Sequence, residues 1–306
     1  MRLRNLPAKA AGMARDPQPS SDLDLLLLLG DTAYMNWDGE SWDFAALNDC
    51  YKAQFEIESF RELTEKVPTL AIWDDHDCGV NNVRGAEVPK LVMQSRKLFD
   101  RWMGFAINAG RPEMYDVYEK LPDVRVLMLD CRSNRTLPDA ADPTMLGVLQ
   151  EEWLWKQLDP AQTIQRPITI LANGVGLSQG SPTEVVKAYP DFWGRLRSHI
   201  SFRDATSDEC GRRALFLAGD IHRNHFQPYE DERIYEVLSS GVACFIPKTY
   251  HKQQFTPDRF TDNWGLITIE PESVRIDCHG RPDKPGEKHP NNFNRVIRRL
   301  DWRLVP

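Results

Sequence analysis

Four short apolar runs in this chain each end in a cluster of polar and charged residues. They are DLLLLLGDTAY from Asp24, TLAIWDDHD from Thr69, VRVLMLDCRSNR from Val124 and ALFLAGDIHRNH from Ala214. The five leucines of the first fill both alternating sets of side chains, so as a strand the run must be covered on both faces. Leucine also suits a short buried helix, but a length of about six residues and the Gly-Asp stop favour a strand. Short buried strands separated by helical stretches build layered α/β folds, in which binding groups gather where the carboxyl ends of strands converge. The repeated pattern therefore predicts rigid buried strands that hold reactive side chains at their tips.

The intervening segments fit that architecture. Residues 42–65 carry Phe44, Leu47, Tyr51, Phe55 and Phe60 in a helical pattern, and Pro68 resets the chain before the second strand. Glu87 to Phe105 and Leu146 to Leu158 also read as helices, ITILAN (168–173) as a further strand, and RIYEVLSSG, GLITIE and SVRIDC as later strands with clearer alternation. The first 22 residues, rich in Ala, Pro and Ser, are expected to form an irregular lead-in, which leaves 23–306 as one domain.

A chain of 306 residues with 41% hydrophobic and 27% charged residues can bury a substantial core. Its net charge is −7, unevenly placed: seven basic and three acidic residues from Arg281 to Pro306 give that tail +4, against −11 for residues 1–280. The tail reads either as a solvated segment or as a basic rim that draws in anions. Six cysteines without a C-x-x-C pair indicate reduced thiols rather than a zinc knuckle or a disulfide scaffold. The longest apolar run, Leu25 to Leu29, is too short to cross a bilayer. MRLRNLPAKAAGMARD has no apolar core of a signal peptide, and the twin arginines at 212–213 and 298–299 lie far from the start. The expected location is cytoplasmic for the chain as written, and secreted or periplasmic if its N-terminus is truncated. No nucleic-acid-binding module and no mark of oligomeric state is legible.

The strand tips would bring together Asp31, Tyr34, Asp74, Asp75, His76, Asp77, Asp130, Arg132, Asp220, His222 and His225. Carboxylates crowded into one pocket raise one another's pKa, and a multivalent cation removes that repulsion. Oxygen and imidazole donors suit hard and borderline metals. Two ions bridged by a carboxylate make a bound water nucleophilic near neutral pH, and Asp31, at the end of a stiff strand, is the natural bridge. Singly, each cluster has a plainer reading: a Gly-Asp turn, an Arg132–Asp130 pair, or a surface loop with two solvated histidines. WDDHD is hardest to reduce, because three aspartates around a histidine gain little from burial without a cation.

LGDTAY, WDDHDCGVNN, LMLDCRSNR, LGVLQEEWLWKQL, LAGDIHRN and NWGLITIE, in that order from about Asp24 to Glu270, resemble the alkaline phosphatase D (PhoD-like) family of metallophosphoesterases. The resemblance implies an α/β fold, a four-layer α-β-β-α sandwich, with a dinuclear centre. It also implies hydrolysis of small phosphomonoesters or diesters by a metal-activated hydroxide. Ferric iron and calcium are the implied ions, with manganese or zinc as alternatives. The block G-D-x-x-[DY] matches Gly30, Asp31 and Tyr34, which makes the tyrosine a ferric ligand. G-N-H-[DE] lines up with Asp74, Asp75, His76 and Asp77, and G-H-x-H with Gly219, Asp220, Ile221 and His222. The implied metal set is Asp31, Tyr34, Asp74, Asp75, Asp220 and His222. His76 would stabilise or protonate the leaving oxygen, and Arg132 would clamp a pair of phosphate oxygens. Asn82, Asn173 and His225 are candidate accessory ligands or substrate-binding groups. The family's first block, a D-x-H pair or a cysteine on a preceding strand, has no counterpart in residues 1–22, which hold neither Cys nor His. A truncated N-terminus, a site with fewer ligands, or an impaired homologue that only binds metal would each account for this.

Two rival chemistries are also written in the chain. GLSQG (176–180) satisfies the G-x-S-x-G nucleophile elbow, with Ser178 as nucleophile, Asp208 or Asp220 and then His222 or His251 downstream. Three residues separate ITILAN from Leu177, Pro182 breaks into the helix that should follow, and no H-G-G-G segment precedes it. The glycines at 174, 176 and 180 fall one residue off the G-x-G-x-x-G dinucleotide fingerprint.

Overall fold

The computed structural model describes residues 2–5 (backbone path only), 23–34, 43–159, 167–201, 213–229, 233–240, 263–280 and 292–306. Within the lead-in expected to be irregular, Arg2–Asn5 forms a strand, β1, which corrects that expectation. It lies antiparallel to β2 (Leu25–Leu29), whose parallel neighbour is β3 (Thr69–Ile72). A second sheet follows: β4 (Asp116–Tyr118), β5 (Val124–Met128), β6 (Ile168–Asn173), β7 (Arg213–Ala218), β8 (His225–Tyr229) and β9 (Ile234–Leu238). The chain then returns to the first sheet through β10 (Asn263–Ile269), β11 (Ser273–Gly280), β12 (Phe293–Arg298) and β13 (Arg303–Leu304). The strand orders are β13-β12-β11-β10-β1-β2-β3 and β4-β5-β6-β7-β9-β8. In the second sheet β5, β6, β7 and β9 run parallel, so their carboxyl ends share one edge.

Period-two alternation puts the sheets face to face. Leu25, Leu27 and Leu29 of β2 and Leu70 and Ile72 of β3 point into one core with Val124, Val126, Met128, Ile168, Ile170, Leu215 and Leu217 of the opposite sheet. The intervening residues face helices. Ala71 and Leu28 pack under α1 (Phe44–Glu56) and α4 (Pro89–Trp102) through Leu47, Tyr51, Leu98 and Phe99. Leu127, Leu171 and Phe216 pack under α5 (Val148–Gln157) and α6 (Pro190–Ile200) through Leu154, Phe192 and Leu196. The layers are therefore helix, sheet, sheet, helix, as the resemblance implied.

The single helix expected over 42–65 is two, α1 and α2 (Glu58–Lys66), because Ile57 adopts an extended conformation (φ −70°, ψ 110°) between them. At the tip of β3 the chain makes a single helical turn, α3 (Asp75–Cys78). No described helix is long and apolar enough to cross a membrane. Cys50, Cys78, Cys131 and Cys278 are free thiols; Cys210 and Cys244 lie outside the described residues. In the described part of the basic tail, Arg298 pairs with Asp301 (2.7 Å) and Arg299 with Asp123 (3.0 Å), so these charges are engaged at the sheet edge.

The register makes a direct prediction. Leu27, with no exposed surface, faces the inter-sheet core, whereas Leu149 is 76% exposed. Leu27→Ala is expected to lower unfolding free energy by about 3 kcal/mol, and Leu149→Ala to change it by less than about 0.5 kcal/mol. Urea titration of both variants measures this, and equal effects would contradict the assigned faces.

Candidate metal centre

The tips of β2 and β7 deliver their side chains through constrained turns. After β2, Gly30 (φ +92°) lets the backbone pass against Asp74, where a Cβ would clash with the Asp74 side chain. Asp31 then sits at φ 56°, and Asp220 and His222, after β7, at φ 68° and 53°. Non-glycine residues pay a steric penalty there of about 1–2 kcal/mol each and persist only where the surroundings over-determine them. For His222 the surroundings include Asn263, whose side-chain amide donates to the His222 carbonyl (3.2 Å) while its oxygen accepts from Ser240 N–H (2.9 Å).

The outcome is a shared acidic centre. Asp31, Asp74, Asp75 and Asp220 each offer an oxygen within 4.8 Å of all the others. Asp31 also accepts from the Tyr34 hydroxyl through Oδ2 (2.9 Å) and from the His76 backbone through Oδ1 (3.2 Å). The Tyr34 hydroxyl contacts His222 Nε2, and its ring stacks on His76 with centroids 3.9 Å apart. Asp31 is thus common to two donor sets, one made of carboxylates and one of a phenol and an imidazole. These are the oxygen-rich and mixed donors that a hard and a borderline or ferric ion prefer. The Asp74 oxygen that Arg132 does not use, Oδ2, is buried with no hydrogen-bond partner, as a donor to a cation would be.

Electrostatics make the demand for positive charge explicit. At an effective dielectric of about 20, two unit charges this close repel by about 3–4 kcal/mol. Burial, then Asp75 and Asp74, push the Asp31 carboxyl well above its usual range; burial, then Asp74 and Asp75, do the same for Asp220. Burial raises Asp74 to about 6 against the opposing pull of Arg132. Asp75 alone is held below the ordinary range, because Arg132, His76 and hydrogen bonds from Asn82 N–H and Asp31 outweigh burial. Burial lowers His76, and lowers His222 to about 4.

Not every acid of the motifs faces the centre. Asp77 accepts from Thr32 N–H (3.0 Å), Ala33 N–H (3.3 Å), the Tyr51 hydroxyl (2.9 Å) and Asp74 N–H (3.0 Å). It ties the tips of β2 and β3 to α1. Asp130 likewise accepts from Trp73 Nε1 (2.9 Å) and from the backbone of Arg132 and Ser133 (both 3.0 Å).

Arg132 is fully buried and is not the open fork expected for a pair of phosphate oxygens. Its Nε donates to Asp74 and its Nη1 to Glu184 (2.5 Å), leaving Nη2 without a hydrogen bond, 3.8 Å from Asp75 and 3.9 Å from Asp220. Asn82 meets the centre through its backbone, whose N–H donates to Asp75 Oδ2 (2.5 Å). Asn173, at the end of β6, donates to the Val175 carbonyl (2.8 Å) and keeps a buried, unpartnered Oδ1. The His225 side chain has no hydrogen bond, ion pair or ring contact with the acidic residues; burial and Arg223 hold its pKa down.

The serine elbow has a different environment from a nucleophile's. The Ser178 hydroxyl donates to Glu236 Oε2 (3.0 Å) and accepts from the Tyr229 hydroxyl (2.9 Å), while Glu236 also takes the Leu177 and Ser178 N–H groups. A carboxylate that gathers two amides and two hydroxyls braces a loop. Of its proposed partners, His222 reaches Tyr34, and Asp208 and His251 lie outside the described residues.

Residues 10–264 match the model of the PhoD-like phosphatases. The chain belongs to the PhoD-like phosphatase family. Among solved structures, the structure of PhoD superposes with a TM-score of 0.67 at 16% identity, covering 93% of this chain; this chain spans 66% of that one. Slighter likenesses are to a Vps29 single mutant from Entamoeba histolytica (TM-score 0.34, 9% identity, 97% of each chain). Vps29 from Chaetomium thermophilum gives a TM-score of 0.31 at 11% identity, over 97% of this chain and 95% of that one. No curated protein matches the sequence. The fold agrees with the family's.

The crowded carboxyls predict an unusual stability effect. A carboxyl with a folded pKa above its unfolded value near 3.8 favours folding when protonated; that contribution is complete below 3.8 and lost as pH rises through the folded value, about 6 for Asp74. In chelator-treated protein, Asp31→Asn removes one repelling charge and is expected to raise Tm at neutral pH by about 2–4 °C. The gain should shrink as pH falls toward 4. A variant less stable than the parent at neutral pH would contradict the charge crowding.

Proposed function

We propose that this chain is a metal-dependent hydrolase of small phosphoesters. One observation carries the reading: four carboxylates from the tips of β2, β3 and β7 offer oxygens within 4.8 Å of one another, with Tyr34 and His222 adjoining Asp31. Asp74, Asp75 and Asp220 would hold a hard ion such as calcium; Tyr34 and His222 would hold ferric iron, or manganese or zinc; Asp31 would serve both. Bound there, the ions would supply a water of lowered pKa and neutralise charge on the phosphate.

The chain's own side chains do the rest. Burial lowers the His76 pKa and so favours the neutral imidazole, whose N–H would donate to a phosphate or leaving oxygen. Stacking on Tyr34 fixes its plane. Arg132 has one nitrogen without a hydrogen bond, Nη2, 3.8 Å from Asp75 and 3.9 Å from Asp220, where it would meet charge on a phosphate oxygen.

The test is hydrolysis of p-nitrophenyl phosphate and bis-p-nitrophenyl phosphate by metal-replete protein. Turnover should disappear with chelator, return with added metal and fall more than about 100-fold in Asp31→Ala, while Ser178→Ala retains it. Turnover that survives chelator but not Ser178→Ala would instead establish the serine hydrolase, and stoichiometric metal without turnover the impaired homologue.

A further inference from the structure

Glu184 lies outside every motif that marks the acidic centre, yet it is among the most deeply buried charges of the chain, at 2% exposure. Its Oε1 accepts from Arg132 Nη1 (2.5 Å) and from Arg135 Nη2, and both arginines are buried as well. Arg135 Nη2 also donates to the carbonyls of Asn82 (3.3 Å) and Val83 (3.0 Å), in the loop whose Asn82 N–H reaches Asp75. Through the two guanidinium groups Glu184 therefore links the β5 tip, the loop after β3 and its own segment, where a Cβ on Gly180 would lie 3.1 Å from Asp220 Oδ2.

The consequence falls on Arg132. With Nε on Asp74 and Nη1 on Glu184, the guanidinium plane is fixed at two points. Only Nη2 remains without a hydrogen bond, directed to within 3.8–3.9 Å of Asp75 and Asp220. An unpaired buried donor is costly, and native structures keep one where a ligand completes it. A planar guanidinium pinned at two nitrogens can present the third to an anion without losing further rotamer freedom.

We propose that Glu184 is a positioning residue: it holds Arg132 so that Nη2 faces an oxyanion bound at the Asp75–Asp220 side of the centre. This rests on the hydrolase reading above for its consequence in turnover, but anion binding tests it separately. Glu184→Ala removes the anchor, and a displacement of the guanidinium by about 1 Å is enough to lower kcat/KM about 100-fold. Glu184→Gln keeps an accepting oxygen of the same shape and is expected to stay within about fivefold of the parent. Metal content should match the parent in both variants, because Glu184 is not among the clustered carboxylates.

The deciding experiment is a double-mutant cycle with Arg132→Ala on metal-replete protein. It is read by calorimetric binding of inorganic phosphate, by kcat and KM, and by Tm. The proposal expects weaker phosphate binding in Glu184→Ala, rescue in Glu184→Gln, and no further loss when Glu184→Ala is added to Arg132→Ala. Additive losses, or parent-like phosphate affinity in Glu184→Ala, would overturn it. Non-additive phosphate binding in a protein that turns over no ester would sustain the positioning role and reject the hydrolase. Hydrolysis with additive losses would do the reverse, and a metal-replete parent that turns over ester but binds no phosphate would reject the positioning role alone.

Discussion

Four carboxylates, three of them buried, with oxygens within 4.8 Å of one another cannot all be ionised unless positive charge lies among them. The architecture at the strand tips follows from that constraint. Arg132 supplies one charge from inside the protein and is drawn to Asp74, and it is the largest favourable influence on Asp75. Asp31 and Asp220, which no guanidinium reaches by a hydrogen bond, are the two driven furthest from their ordinary ionisation. A multivalent ion at that side would meet the remaining demand. The left-handed residues Asp31, Asp220 and His222 belong to the same account, because their conformations bend the tips of opposite sheets toward one point.

Identical residue types at neighbouring positions take unlike roles, and hydrogen-bond partners rather than sequence separate them. Asp75 turns into the centre, while Asp77, two residues on, receives four donors and holds β2, β3 and α1 together. Burial pushes Asp77 up to about 7 even so, which marks how far this part of the chain lies from water. Two glycines permit the close packing around Asp74: Gly30 on one side, and Gly174, where a Cβ would sit 2.6 Å from Asp74 Cγ, on the other.

Much of this was legible in the residues alone. The leucines of β2 and the runs at β3, β5, β6 and β7 announce buried strands because they are apolar on both alternating sets and too short for buried helices. The tips follow as the places where those runs stop. Illegible were the strands whose sequences are polar or interrupted: β8, an edge strand that contains Pro228, and β12, which exposes Asn294 and Arg295. The helix α6 was missed although Pro190 stands at its first turn, a position where proline's fixed φ suits helix entry. The strand β1 fell in a stretch whose Ala, Pro and Ser content reads as an irregular lead-in rather than a strand. At the centre, the candidate residues were evident, but Glu184 was not: a single carboxylate in a loop carries no pattern, and only the structure brings two guanidinium groups onto it. The second arginine of LDCRSNR, Arg135, was the one available signal.

The central claim is that cations complete this acidic centre, and elemental analysis of protein purified without chelator addresses it most directly. The account predicts metal in whole-number proportion to protein, lost on dialysis against chelator and absent from Asp75→Ala and Asp220→Ala proteins that remain folded. Folded parent protein that carries no metal, and whose Tm does not move when calcium, iron, manganese or zinc is added, would contradict it.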